Sequence, residues 1–184
     1  MTARPHRALI EGAPDRLTID RLKTPVGDAL LAFDAADRLR AFYFADKEDE
    51  LLRLLRRQYG AKIRLDRGQG PSDTISSLEA YFAGDLTALD NIECRTVGTP
   101  FQQEVWAALR TIPVGQTLSY GSLAHKIGKP KAVRAVGMAN GANPIAVVVP
   151  CHRVIGSNGT LTGYGGGIER KRWLLTHEGA SFAD

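Results

Sequence analysis

In the first half of the chain, apolar residues alternate or gather in short runs closed by turn residues. Leu17-Thr-Ile-Asp-Arg-Leu22 and Ala29-Leu-Leu-Ala-Phe33 predict strands separated by the turn Thr24-Pro25-Val26-Gly27. Residues 39–44 predict a third strand, completing an antiparallel meander. Over residues 48–59, Leu51, Leu52, Leu54 and Leu55 interleave with Arg and Glu, which is a helical pattern. A shorter helical pattern over residues 75–83 stops at Gly84. This region reads as a small α+β scaffold without recognisable chemistry.

The second half has a different rhythm. Helix signals lapse between Asn91 and Pro100, so a boundary is expected that divides the chain into residues 1–94 and 95–184. A helix is predicted over residues 101–110, with Thr99 as its N-cap and Pro100 at its first turn. Residues 119–127 form a second amphipathic segment, Gly128-Lys129-Pro130 a tight turn, and residues 131–139 an alanine-rich helix on which Lys131 and Arg134 share a face. Two short helices across a glycine-containing turn match a helix-turn-helix. The same pattern serves equally as a purely structural αα-hairpin.

Composition narrows the class. The chain has 184 residues, 43% hydrophobic and 24% charged, as expected of a soluble globular protein. No apolar run approaches the roughly 20 residues that span a bilayer. The opening Met1-Thr-Ala-Arg-Pro-His-Arg7 is not followed by an apolar core, so no secretory signal is read and a cytoplasmic location without membrane contact is expected. Charge is uneven: residues 1–94 carry 14 Lys/Arg and 16 Asp/Glu (net −2), and residues 95–184 carry 10 and 4 (net +6). No acidic residue lies between Glu104 and Glu169, whereas Arg110, Lys126, Lys129, Lys131, Arg134 and Arg153 do. That stretch is either a solvated basic face or a surface for a polyanion.

The candidate chemistry lies within it. The run Ile145-Ala-Val-Val-Val-Pro150 predicts a buried strand, and a thiol (Cys151) and an imidazole (His152) follow directly. A free cysteine, with a pKa near ~8.5, is mostly protonated at neutral pH, and burial raises that value further. A reactive Cys151 therefore needs a base. Neighbours on an extended chain point opposite ways, so a turn after Pro150 or a bridging water must join thiol and imidazole. Glu178, in the last turn of a predicted C-terminal helix, is the local acid in an apt context to orient His152. The competing reading is an inert buried cysteine. The only other cysteine is Cys94, so no disulfide framework is expected. Gly163-Tyr164-Gly165-Gly166-Gly167 places one aromatic among four glycines, suited to a flat ligand or to a plain surface loop. His6, His125, His152 and His177 lack ligand spacing, and no metal or cofactor is expected.

Pro150-Cys151-His152-Arg153-Val154, preceded by Asn143-Pro144 and followed by the glycine–tyrosine loop, resembles the O6-alkylguanine-DNA alkyltransferases, the methylated-DNA–protein-cysteine methyltransferases. The resemblance runs over about residues 99–179. It includes Thr99-Pro-Phe-Gln-Gln-Glu-Val-Trp, Ser119-Tyr-Gly-Ser-Leu-Ala, Lys131-Ala-Val-Arg-Ala-Val-Gly and Trp173-Leu-Leu-Thr-His-Glu. The N-terminal half resembles the bacterial form, with a ribonuclease H-like three-stranded antiparallel sheet and helices beside a mostly helical C-terminal domain. The resemblance implies repair of alkylated double-stranded DNA by irreversible transfer of an alkyl group to Cys151. His152 would act as base through a water, Glu178 would orient it, and Tyr120 would polarise the departing purine. Asn143 would brace the turn that carries the active site. DNA contacts would fall on Arg134, Lys131, Ala132 and Ser157, with Arg134 filling the stack left by a flipped base. The substrate pocket would be formed by Tyr164, Gly165, Val154 and Asn140. A monomer is expected, with clustering on DNA left open. Some relatives bind zinc through N-terminal Cys and His residues, but no cysteine precedes Cys94 here. Asn140 and Ala146 stand where some relatives carry bulkier or more rigid residues, which leaves the range of adducts open, O4-alkylthymine included. A thiol hydrolase using Cys151, His152 and Glu178 and a non-enzymatic helix-turn-helix regulator are the alternative readings.

Overall fold

The three expected strands form a meander in a computed structural model that describes residues 14–183: β1 (Arg16–Leu22), β2 (Ala29–Phe33) and β3 (Leu39–Phe44), each antiparallel to the next. The reading of the first seven residues as carrying no secretory signal lies outside the described residues. The period-two alternation of strand side chains sorts the sheet into two faces. Leu17, Ile19, Leu30, Ala32 and Ala41 point to one face, where α1 (Glu48–Tyr59) covers them with Leu51 and Leu55. Ala29, Leu31, Phe33, Phe42 and Phe44 point to the other face and enter a larger cluster with Val105, Trp106, Val136, Val149 and Leu174. The C-terminal half therefore packs directly on the sheet and shares its core.

A fourth strand, β4 (Arg64–Arg67), extends the sheet by pairing parallel with β1, giving the order β3-β2-β1-β4. The three antiparallel strands of the sequence reading thus become part of a mixed sheet. Arg-Leu-Asp-Arg holds one apolar residue and no alternation, so an edge strand of this kind leaves no hydrophobic signature. Helix α2 (Ser72–Ala83) begins three residues earlier than predicted and ends at Gly84, whose φ of 115° is left-handed.

Helix α3 (Pro100–Arg110) is fixed at its start by a reciprocal capping box. Thr99 Oγ1 accepts from Gln102 N (3.2 Å), and Gln102 Oε1 accepts from Thr99 N (2.9 Å). Trp106 on α3 donates to Ala139 O (2.8 Å) and so holds α5 (Val133–Gly141) against it. Strand β5 (Leu118–Ser119) leads into α4 (Tyr120–Lys126), which packs on α5 across residues 127–132 in the expected helix-turn-helix arrangement. Strand β6 (Val154–Ile155) pairs parallel with β5, and α6 (Ile168–His177) closes the fold. No helix among the described residues is long and apolar enough to cross a membrane.

Two sequence expectations fail here for physical reasons. Helix α5 starts at Val133, so Lys131 and Ala132 lie before it and Lys131 does not share a helix face with Arg134. Pro130 and Lys131 form the centre of a turn closed by Ala132 N donating to Lys129 O (2.9 Å), and proline favours that position. Residues 145 and 147–149 are buried, with Ala146 half-buried between them, but the run is not a strand. Ile145 makes a single bridge to Phe42, and Val147 then takes a left-handed φ of 69°. For a β-branched residue this conformation costs on the order of 1–3 kcal/mol. Instead of a sheet ladder, the Asn143 side chain satisfies this backbone. It accepts from Ile145 N (3.1 Å) and donates to Val149 O (2.8 Å).

Candidate active site

The chain beyond this turn places the thiol and the imidazole on one short 3-10 turn, Cys151–Arg153, so that adjacent residues need not diverge as they would in a strand. Cys151, His152 and Arg153 are all buried. Glu178, at the C-terminal cap of α6 and also buried, draws three donors from this turn and one from a distant helix. His152 Nε2 lies 3.0 Å from Oε1, Arg153 Nε donates to Oε2 (2.8 Å), and Arg153 Nη2 donates to Oε1 (2.9 Å). The fourth donor is Tyr81 Oη, which reaches Oε1 at 2.7 Å from α2.

Electrostatics assigns the protons. Burial alone would raise the Glu178 carboxyl, but the hydrogen bonds and charges of His152 and Arg153 outweigh it and hold the group well below the usual carboxylate range. Glu178 is therefore an acceptor, and His152 Nε2 must donate to it. Burial lowers the imidazole's pKa despite the pull of Glu178, so His152 is neutral near pH 7. A neutral ring that donates from Nε2 carries a free lone pair on Nδ1. His152 Nδ1 is buried and has no hydrogen-bond partner among the described residues. The thiol itself is not activated at rest. Burial pushes Cys151 up, and a hydrogen bond from Asn143 and the Lys171 charge offset only part of this.

Lys171 is a buried cation whose Nζ donates to Val154 O (2.6 Å) and Thr162 O (2.9 Å), tying β6 to the segment that leads into the glycine loop. Burial pulls its pKa down to about 8. The sequence reading missed Lys171, although its position carried a signal. Lys171, Leu174, Leu175 and Glu178 fall at helical spacing on one buried stripe of α6. Arg153 was visible in the motif but read only as surface charge. Tyr81 gave no signal.

A cavity of ≈ 90 Å³ opens onto Cys151. Asn140, Asn143, Tyr164 and Gly165 line it from the C-terminal half, and Phe42, Tyr43, Phe44, Lys47 and Glu50 line it from the N-terminal half, which the sequence left without chemistry. Asn140 Oδ1 and Tyr164 Oη are both buried without hydrogen-bond partners among the described residues. Val154 does not line this cavity: it is fully buried in β6 behind it, where its carbonyl holds Lys171. Tyr120, the first residue of α4, stands outside the cavity lining and accepts from Thr162 Oγ1 at 3.3 Å. Gly137 of α5 packs near its ring: a Cβ there would lie 3.7 Å from Tyr120 Cδ1, an ordinary contact distance. Lys131, Arg134 and Ser157 are exposed, Arg134 on the outer face of α5 and Ser157 on the turn after β6. Among the described residues no group of three His, Cys, Asp or Glu side chains is placed to hold a metal ion.

The chain is similar to known proteins over most of its length. Residues 100–180 match the family model described as 6-O-methylguanine DNA methyltransferase, DNA binding domain. A methylated-DNA–protein-cysteine methyltransferase from Salmonella typhimurium is 51% identical over 168 residues, covering 89% of this chain and 96% of the relative. One of the same name from Mycobacterium bovis is 63% identical over 107 residues, covering 58% of this chain and 64% of the relative. Among solved structures, the Mycobacterium tuberculosis OGT in complex with DNA superposes with a TM-score of 0.76 at 45% identity, covering 88% of this chain and 92% of that one. The O6-methylguanine-DNA methyltransferase of Pyrococcus kodakaraensis gives 0.70 at 28% identity, with 89% and 99% covered. With a near-complete relative at half identity and a buried Cys-His-Glu set at the matching motif, the chain belongs to the methylated-DNA–protein-cysteine methyltransferase family.

Proposed function

We propose that this protein repairs DNA by moving the alkyl group of O6-alkylguanine onto Cys151, once per molecule. The observation that carries the reading is the commitment of His152 Nε2 to Glu178, which leaves Nδ1 buried and unpartnered on the residue that follows Cys151. Through a water, His152 Nδ1 takes the Cys151 proton as the sulfur attacks the alkyl carbon. The carbon–O6 bond breaks, its electron pair stays on O6, and the purine takes up a proton, with Tyr120 polarising the leaving base. Glu178 stabilises the imidazolium that forms.

A base inside a duplex cannot reach a buried sulfur, so the target nucleotide must leave the stack. Helix α5 is suited to extruding it. Ala135 and Gly137 keep the helix slim for the minor groove, and exposed Arg134 is free to fill the gap. In the cavity, the open Asn140 Oδ1 and Tyr164 Oη offer partners for the polar edge of a purine. Phosphate contacts by the basic side chains bind without reading sequence, as a lesion scanner requires. The product is a thioether. No group placed at the site hydrolyses such a bond, which makes the transfer stoichiometric.

The test is incubation with a duplex containing O6-methylguanine, followed by intact mass measurement. One methyl group is gained by the protein and none by Cys151→Ala; no gain by folded protein overturns the reading. The same assay on O4-methylthymine measures breadth. Repeated turnover on an ester would instead identify a thiol hydrolase.

A further inference from the structure

The cavity at Cys151 has one wall from each half of the chain, and a single side chain outside the cavity ties the two walls together. Arg170, on α6, donates from Nε to Val26 O in the β1–β2 turn (2.8 Å). Its two terminal nitrogens pair with the Asp46 carboxylate just after β3, Nη1 with Oδ2 at 3.1 Å and Nη2 with Oδ1 at 2.9 Å. This is the forked geometry in which arginine holds a carboxylate best. Nη1 also donates to Gly166 O (2.9 Å), and the guanidinium lies over the Phe44 ring, 4.2 Å from its centroid. Phe44 and Gly166 both line the cavity, from opposite sides of the domain division.

The two walls are already at contact distance. A Cβ on Gly166 would fall 2.6 Å from Phe44 Cε2, so only glycine lets the loop come this close. Gly163-Tyr164-Gly165-Gly166-Gly167 has little conformational preference of its own, and its internal tie is Gly167 N donating to Tyr164 O (2.9 Å). Its distance from the N-terminal wall therefore depends on what holds it from outside. Arg170 holds both sides at once.

We propose that Arg170 is a positioning residue that sets the separation of these walls, and through it the size of the alkyl group admitted to Cys151. The proposal rests on the reading of Cys151 as the alkyl acceptor. Phe44 and Gly166 both line the cavity, so an aromatic adduct presses on these walls more than a methyl group does. Loosening the tie favours the large adduct over the small one.

The experiment compares the wild-type protein with Arg170→Met, Arg170→Lys and Asp46→Asn on two duplexes, one carrying O6-methylguanine and one O6-benzylguanine. Single-turnover kinetics give the maximal rate and the half-saturating DNA concentration separately. For Arg170→Met the ratio of benzyl to methyl rate constants rises about tenfold, the scale on which pocket size discriminates between substrates. The half-saturating concentrations stay together, because α5 is untouched. Arg170→Lys recovers part of the wild-type ratio, and Asp46→Asn shifts it in the Met direction by less. An unchanged ratio, or equal slowing on both duplexes, overturns the proposal. If Arg170→Met does not fold, the same criterion applied to Arg170→Lys and Asp46→Asn decides. Failure of the underlying reading is a separate result: wild-type protein that gains mass from neither duplex.

Discussion

The molecule holds two cysteines in two kinds of surroundings. Cys94 lies where the chain returns to β3, and burial lifts its thiol to about 11 with only partial relief from Arg110. Cys151 is more deeply buried and is also pushed up, with partial relief from Asn143 and Lys171. By thiol acidity at rest, neither is a reactive cysteine. The difference lies in proton acceptance: Cys151 is followed by an imidazole whose outer nitrogen is held by Glu178 and whose inner nitrogen is open. In the proposed mechanism reactivity belongs to the base and its orientation, and the thiolate is made when it is needed.

The largest effect comes from exchanging the cysteines' fates. Cys151→Ser abolishes alkyl transfer, whereas Cys94→Ser leaves the mass gain intact; loss of transfer in both would break the comparison. Glu178→Gln comes next. It slows transfer by about 10²–10⁴-fold, the usual worth of a positioned general base. It also strands buried Arg153, at a cost of about 3–5 kcal/mol measurable by urea denaturation. Arg134→Ala slows repair of duplex DNA by the ~1–3 kcal/mol of a lost stacking contact while sparing reaction with a free alkylated base. Equal losses on both substrates would remove the proposed stacking role.

Tyr81→Phe is a finer probe, since it deletes one hydroxyl and leaves the ring in place. It costs roughly 1 kcal/mol of stability. With one donor fewer on Glu178, the carboxylate draws more strongly on His152 and raises its pKa, so the acid limb of the rate profile moves to higher pH. No movement of that limb would show that Tyr81 only packs. The smallest effect is on stability against pH. The unfolded chain takes up a proton on His152 below its ordinary 6.5, while the folded protein resists it. Stability is thus complete above that value and is lost as pH falls through it, with Glu178 adding to the loss below 4.5. Urea midpoints between about pH 7.5 and 5.5 measure the first part, and His152→Gln flattens it.

Much of this site was legible because its chemistry is local. Cys151 and His152 adjoin in sequence, Thr99 and Gln102 cap α3 within one turn, and the leucine spacing of residues 48–59 coincides with α1. The motif also identified Glu178, though nothing in its spacing from His152 shows a 3.0 Å contact. Errors arose where burial and secondary structure part company. The apolar run of residues 145–149 reads as a strand because periodicity registers burial alone, and it is the Asn143 side chain that lets an irregular, left-handed segment stay dry.

By itself the sequence determined the strands of the meander, the principal helices, the basic character of the C-terminal half and the candidate nucleophile with its candidate base. Each follows from neighbours a few residues apart, where propensity, spacing and turn chemistry act. Only the tertiary structure decided that Tyr81, 97 residues from Glu178, would donate to the carboxylate that holds His152, and that Phe44 would wall the cavity opposite Gly166. It likewise decided that Arg170 would join Val26 and Asp46 to that wall. Those contacts form when the sheet buries its second apolar face against the helices. Non-directional hydrophobic burial brings the two halves together, and it leaves no trace in the sequence of which polar side chains then meet.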